Sequence, residues 1–189
     1  MTLKRLLRTA IVLSAALYVG CGETGNPETG TAPALQPVGQ VEDFEVAAEP
    51  RPVPELAFKT VGDRDVTLSD FRGKTVLLNF WATWCAPCKV EMPSLDRLQA
   101  QLGGDKFAVV AISSDRAGKR AVDPWFDEEG FKLERYYDPK NAVGMGLGVT
   151  GLPTTILLDA QGRELGRMLG DAEWDSPEAV ALVKQAMGD

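Results

Sequence analysis

Phe80-Trp81-Ala82-Thr83-Trp84-Cys85-Ala86-Pro87-Cys88-Lys89 sets two thiols at C-x-x-C spacing. They lie directly after the apolar run Val76 to Trp81 and directly before a segment with helical periodicity. A redox-active dithiol needs that context. With Cys85 at a helix start, the unpaired N–H groups and the positive end of the helix dipole favour a thiolate, and Lys89 adds a cation. Cys85 is therefore the expected nucleophile. Cys88, one turn later on the inward side, keeps its proton longer and is the expected resolving thiol, the two forming a redox disulfide. Ala86-Pro87 suits the first helical turn, where the N–H that proline lacks has no partner to lose.

Other uses of the pair fit less well. A closed zinc site takes four ligands, and the chain has three cysteines and no histidine. A structural disulfide across so short a loop gains only about 2 kcal/mol in the chain-entropy model. Thiolates also suit Cu(I), for which Met92 is the one soft neighbour. The expectation is a dithiol with no metal and no cofactor.

Downstream, Ala86 to Leu102 reads as a helix whose inward stripe is Cys88, Met92, Leu95 and Leu102, with a kink expected at Pro93. Thr75 to Trp81 and Phe107 to Ile112 read as buried strands. Strand, helix and strand of these lengths make a right-handed parallel crossover. Short strands are expected at 56–60 and 65–68 around a turn, and short helices near 124–129 and 141–147. A hairpin is expected from 155–158 and 164–169 across Asp159-Ala160-Gln161-Gly162, and a final helix from the Ser176-Pro177 cap to about Met187.

Upstream, Lys4, Arg5 and Arg8 precede the apolar stretch Thr9 to Gly20, which is too short to span a bilayer and fits a signal peptide over 1–20. Its end, Leu17-Tyr18-Val19-Gly20-Cys21, resembles a bacterial lipobox, which makes Cys21 the expected lipidation site. An ordinary cleaved signal and an uncleaved anchor are the alternatives. Gly22 to Pro54 holds six prolines and six acids against one base, so 21–54 reads as a lipidated cysteine and a disordered tether. The folded domain is then expected over 55–189. The formal net charge of −7 becomes −10 if 1–20 is removed. Such a charge argues against nucleic acid as a partner and against electrostatic membrane attachment.

With these residues in view, a resemblance is specific. Leu68-Ser69-Asp70-Phe71-Arg72-Gly73-Lys74, the stretch from Asn79 to Lys89, Glu91-Met92-Pro93 and Gly151-Leu152-Pro153-Thr154-Thr155 with Asp159 and Gly162 together resemble the TlpA/ResA branch of anchored, extracytoplasmic thiol:disulfide reductases. Over roughly residues 52–188 the resemblance implies an α/β thioredoxin-like fold. That means a mixed central sheet flanked by helices, an N-terminal β-hairpin over 56–68 and a central insertion within 114–148.

The resemblance also implies site roles. Pro153 would be cis and face the dithiol, with the backbone of Leu152 pairing with substrate and Trp84, Ala86 and Pro87 contacting it. Asn79 stands where thioredoxin has a buried aspartate, and Glu91 would tune the thiols or accept a proton in its place. Trp81, Trp125 and Trp174 read as packing. The partners implied are disulfide-containing extracytoplasmic proteins, either a copper chaperone or oxidase subunit or an apocytochrome c, together with a membrane electron donor of the DsbD/CcdA type. A monomer, lipid-anchored on the periplasmic side of a bacterial membrane, is expected. A dithiol oxidant and a Cu(I)-binding module are the rival readings. The absence of histidine excludes Cys-His catalysis.

Overall fold

The computed structural model describes residues 35–188; the expected signal segment and Cys21 lie outside them. The strands are β1 (Glu45–Pro52), β2 (Phe58–Thr60), β3 (Asp65–Val66), β4 (Thr75–Trp81), β5 (Phe107–Ser113), β6 (Tyr136–Tyr137), β7 (Thr154–Leu158) and β8 (Arg163–Leu169). The helices are α1 (Ala86–Leu102), α2 (Lys119–Glu129), α3 (Ala142–Gly146) and α4 (Pro177–Met187). All eight strands form one sheet in the order β1-β8-β7-β4-β5-β6-β2-β3. At its centre β4 runs parallel to β5 and antiparallel to β7, so the sheet is mixed.

Strand alternation divides the core in two. Leu77 and Trp81 of β4, Phe107, Val109 and Ala111 of β5 and Leu157 of β7 face α1, α2 and α4. Val76, Leu78 and Phe80, with Val110, Ile112, Ile156 and Leu158, face α3 and the β2–β3 hairpin. All seven residues of β4 are buried, as its nearly continuous apolar run, broken only by Asn79 after the opening Thr75, requires of a strand covered on both faces. Asn79, between Leu77 and Trp81, therefore looks toward α1. α1 begins and ends where its periodicity places it and continues through Pro93. α4 starts at the Ser176 cap, whose Oγ accepts from the Ala179 N–H at 3.2 Å.

Residues 35–54 depart from the expected tether. Leu35, Val41 and Phe44 are buried against the α4 side of the sheet, the Gln36 N–H donates to Gln185 Oε1 at 2.9 Å, and Glu45–Pro52 pairs antiparallel with β8. Three apolar side chains at irregular spacing give no periodic signal, and none of the eight β1 side chains is buried. This strand is held by backbone pairing, and its prolines are tolerated because it lies at the sheet edge. Gly166 of β8 permits the approach, since a Cβ there would sit 2.4 Å from the Phe44 ring and 2.5 Å from the Glu45 carbonyl oxygen. The short strand β6 is a second difference. Its two residues carry no alternation to read, and both are buried beside β5 and β2.

Candidate active site

Cys85 occupies the N-cap of α1 with an extended backbone (φ −89°, ψ 105°), and its Sγ accepts a hydrogen bond from the Cys88 N–H at 3.3 Å. The two cysteines are joined as a disulfide with their Cα atoms 5.3 Å apart. In the reduced form the same N–H and the helix dipole favour charge on the Cys85 sulfur. Cys88 is fully buried, whereas Ala86 and Pro87 are exposed. The Lys89 ammonium lies 5.2 Å from the centre of the Trp125 ring, a cation–π contact.

The loop leading into the dithiol is held by a buried carboxylate. Asp115, at the C-terminal end of β5, accepts from the Thr83 N–H at 2.9 Å, the Thr83 hydroxyl at 2.7 Å and the Ser113 hydroxyl at 2.8 Å. Two residues before Cys85, the backbone is thereby fixed to the neighbouring strand. Trp84 projects from this loop with 71% of its surface exposed, while Trp81 is buried in a cluster with Trp125 and Phe126. Sequence reasoning missed Asp115. Its signal was an acid at the carboxyl end of a buried strand beside the one that carries the dithiol, where ligand-facing groups of α/β sheets collect.

Glu91, one turn beyond Cys88 on the same buried face of α1, is 2% exposed. Its Oε1 accepts from Asn79 Nδ2 at 2.7 Å, and its Oε2 accepts from Trp174 Nε1 at 3.0 Å and from the Ala172 N–H at 3.4 Å. Burial raises its pKa to about 7 against the opposing pull of the Trp174, Asn79 and Ala172 hydrogen bonds, with Asp171 adding to the rise. The carboxyl can therefore take up or release a proton near neutrality.

Asn79 completes this arrangement. Its Nδ2 also donates to Thr155 Oγ1 at 2.9 Å, and its Oδ1 is buried without a hydrogen-bond partner. A protonated Glu91 presents O–H where it now accepts N–H. A half-turn of the Asn79 amide would bring the unpartnered Oδ1 to that hydrogen. Trp174 thus does more than the packing expected of it, because its indole N–H holds the Glu91 carboxyl.

In the loop that leads into β7 the Leu152–Pro153 peptide is cis. The loop is fixed at both ends. The Thr154 hydroxyl donates to the Gly151 carbonyl at 2.7 Å and the Gly170 N–H to the Pro153 carbonyl at 2.9 Å. Leu152 and Trp84 line one groove of about 610 Å³.

The chain that carries this dithiol and cis-proline loop matches a known family. A profile of the family described as Redoxin fits residues 48–183. The chain belongs to the Redoxin family. It is 38% identical over 116 residues to the thioredoxin-like protein YneN of Bacillus subtilis, covering 60% of this chain and 67% of the relative. It is 30% identical over 118 residues to the thiol-disulfide oxidoreductase ResA of Bacillus thuringiensis, covering 62% and 68%. Its fold is similar to the crystal structure of a secreted thiol-disulfide isomerase from Corynebacterium glutamicum, with a TM-score of 0.63 and 27% identity over 75% of this chain and 90% of the other. The fold is thioredoxin-like, of the TlpA/ResA type, and the protein is a thiol-disulfide oxidoreductase.

Proposed function

We propose that the protein is a dedicated reductant of disulfides in a few extracytoplasmic proteins. The observation that carries this reading is the Cys85–Cys88 pair at the start of α1, with one sulfur capping the helix and the other fully buried. In the reduced protein the Cys85 thiolate attacks one sulfur of the target disulfide, whose S–S bond breaks to release a thiolate and leave a mixed disulfide. Cys88 then loses its proton and attacks Cys85 Sγ. The second target thiolate leaves, and two electrons have passed from the dithiol to the target. We assign receipt of the Cys88 proton to Glu91, a reading supported by its position one turn along α1 and by the rise of its pKa to about 7 on burial. Trp84, Ala86, Pro87 and the backbone of Leu152 form the surface on which a target strand is held, beside the cis Pro153.

The oxidised pair must be reduced again, for which a membrane dithiol donor of the DsbD/CcdA type is the proposed source. The targets we favour are a copper chaperone or oxidase subunit, or an apocytochrome c before haem attachment. The protein would work as a monomer on the periplasmic side of a bacterial membrane. The signal-like segment 1–20 and the lipobox-like Cys21 support attachment there by a lipid.

The test is the equilibrium potential of Cys85/Cys88 in defined thiol buffers, followed by trapping with Cys88→Ser. A potential near or below about −230 mV, with discrete mixed-disulfide partners on Cys85, is expected. A potential near about −120 mV would make the protein a disulfide donor instead. Tight stoichiometric Cu(I) binding without disulfide turnover would make it a metal module.

A further inference from the structure

We propose that the groove beside Trp84 selects target segments carrying acidic residues next to the cysteine that exchanges with Cys85. This inference rests on the reductase reading and specifies the chemistry of its protein substrate. The groove is lined by the apolar side chains Trp84, 71% exposed, Met145, 64% exposed, and Leu152. Two cations, Arg116 and Lys140, also line it, and no Asp or Glu does among the described residues. Both are exposed, and neither has a carboxylate partner among the described residues.

The carboxylates beside them in sequence are turned inward. Asp115, next in sequence to Arg116, is 4% exposed and holds Thr83 and Ser113. Asp138, two residues before Lys140, is 3% exposed and accepts the Ala142 and Val143 N–H groups at the start of α3, at 2.9 and 2.8 Å. A second depression shares Arg116 and Pro139 with the groove; it is also lined by Lys59, Lys119 and Arg120 against one acid, Asp63, which is paired with Lys119.

On a chain of net charge −7, this is a local field of opposite sign placed beside the dithiol. An extended polypeptide seated there would lay an apolar side chain on Trp84 and Met145 and set carboxylates against Arg116 and Lys140. Segments rich in lysine would be repelled at the same place. Charges arranged in this way govern encounter rate and partner choice more than bulk affinity.

Two experiments separate this inference from the reading beneath it. The first needs no redox chemistry. Short peptides with serine in place of cysteine, identical except for flanking Asp/Glu or flanking Lys, are titrated into the oxidised protein and followed by NMR chemical shifts. The acidic peptide is expected to bind about tenfold more tightly at low salt. That preference should vanish near 1 M salt, where the Debye length is about 3 Å, and reverse in Arg116→Glu/Lys140→Glu. Equal binding of the two peptides, or a preference unaffected by the double substitution, overturns the inference.

The second experiment measures reduction of the corresponding cysteine peptide disulfides by the reduced protein. Each rate is divided by the same protein's rate with the uncharged bis(2-hydroxyethyl) disulfide. The wild type should favour the acidic peptide disulfide by a similar factor, and equal normalised rates overturn the inference. A wild-type protein that reduces no disulfide overturns the reductase reading, while the binding titration still decides the groove's preference.

Discussion

Replacing Glu91 with Gln should make the protein more stable at neutral pH and leave it nearly unchanged in acid. The Glu91 carboxyl has an ordinary value of 4.5 that burial raises to about 7. Its folded form therefore binds the proton more tightly than its unfolded form. For a carboxyl shifted upward, the favourable contribution is complete below pH 4.5, is lost as pH rises toward 7, and is flat above. The gap between the two values, at about 1.36 kcal/mol per pH unit, amounts to about 3 kcal/mol.

Glutamine has nearly the shape of the protonated acid and carries no charge at any pH. Its amide oxygen can accept from Trp174 Nε1 and the Ala172 N–H, while its NH₂ faces the unpartnered Asn79 Oδ1 after a half-turn of that amide. At pH 4.5 the two oxidised proteins should agree within about 1 kcal/mol, the scale of one rearranged hydrogen bond. At pH 7.5 the variant should be about 3 kcal/mol more stable. Urea unfolding followed by tryptophan fluorescence across pH 4.5 to 8 measures the difference. A difference between the proteins that stays constant across that range would refute the reasoning, because Glu91 would then titrate alike in the folded and unfolded chains.

Two further outcomes follow from the packing. Asp115→Ala leaves the Thr83 N–H and hydroxyl and the Ser113 hydroxyl without their acceptor, and should cost about 2 to 4 kcal/mol in urea unfolding. It should also slow exchange at Cys85 with small disulfides, since the backbone two residues before the nucleophile is released; an unchanged rate would mean that the clamp only stabilises. Phe44→Ala removes a ring that is 3% exposed over Gly166, and should cost about 3 kcal/mol. A loss below about 0.5 kcal/mol would return residues 35–54 to the role of a tether.

Much of the central fold is local information, and it was legible in the chain. The run Thr75 to Trp81, the pair Cys85/Cys88 and the Ser176-Pro177 cap each specify their own element through burial pattern, spacing or cap chemistry. The helices over 86–102 and 177–187 begin and end where that chemistry places them. Glu91 was legible as a candidate by its position one turn after Cys88. Its enclosure was not, because the groups around it come from Asn79 on β4 and from Ala172 and Trp174 beyond β8, far apart in the chain.

Two features were hidden for other reasons. The acidic, proline-rich composition of residues 35–54 suggested disorder, yet edge pairing to β8 and three buried side chains hold the segment to the sheet. Asp115 and Arg116 are adjacent acidic and basic residues in sequence, with nothing to mark one as a clamp and the other as a free charge. The sheet turns one inward and leaves the other outward.

The sequence by itself therefore determined the dithiol, its helix, the central strands and the class of chemistry. Periodicity, capping and the nucleophilicity of a thiol at a helix start all act within a few residues. Tertiary structure alone decided the environment of that chemistry: a carboxyl buried enough to titrate near 7, a clamped loop, and a groove whose cations have no carboxylate partner among the described residues while the acids beside them in sequence are used elsewhere. Desolvation and charge pairing depend on which distant segments meet, and that is settled only when the sheet assembles.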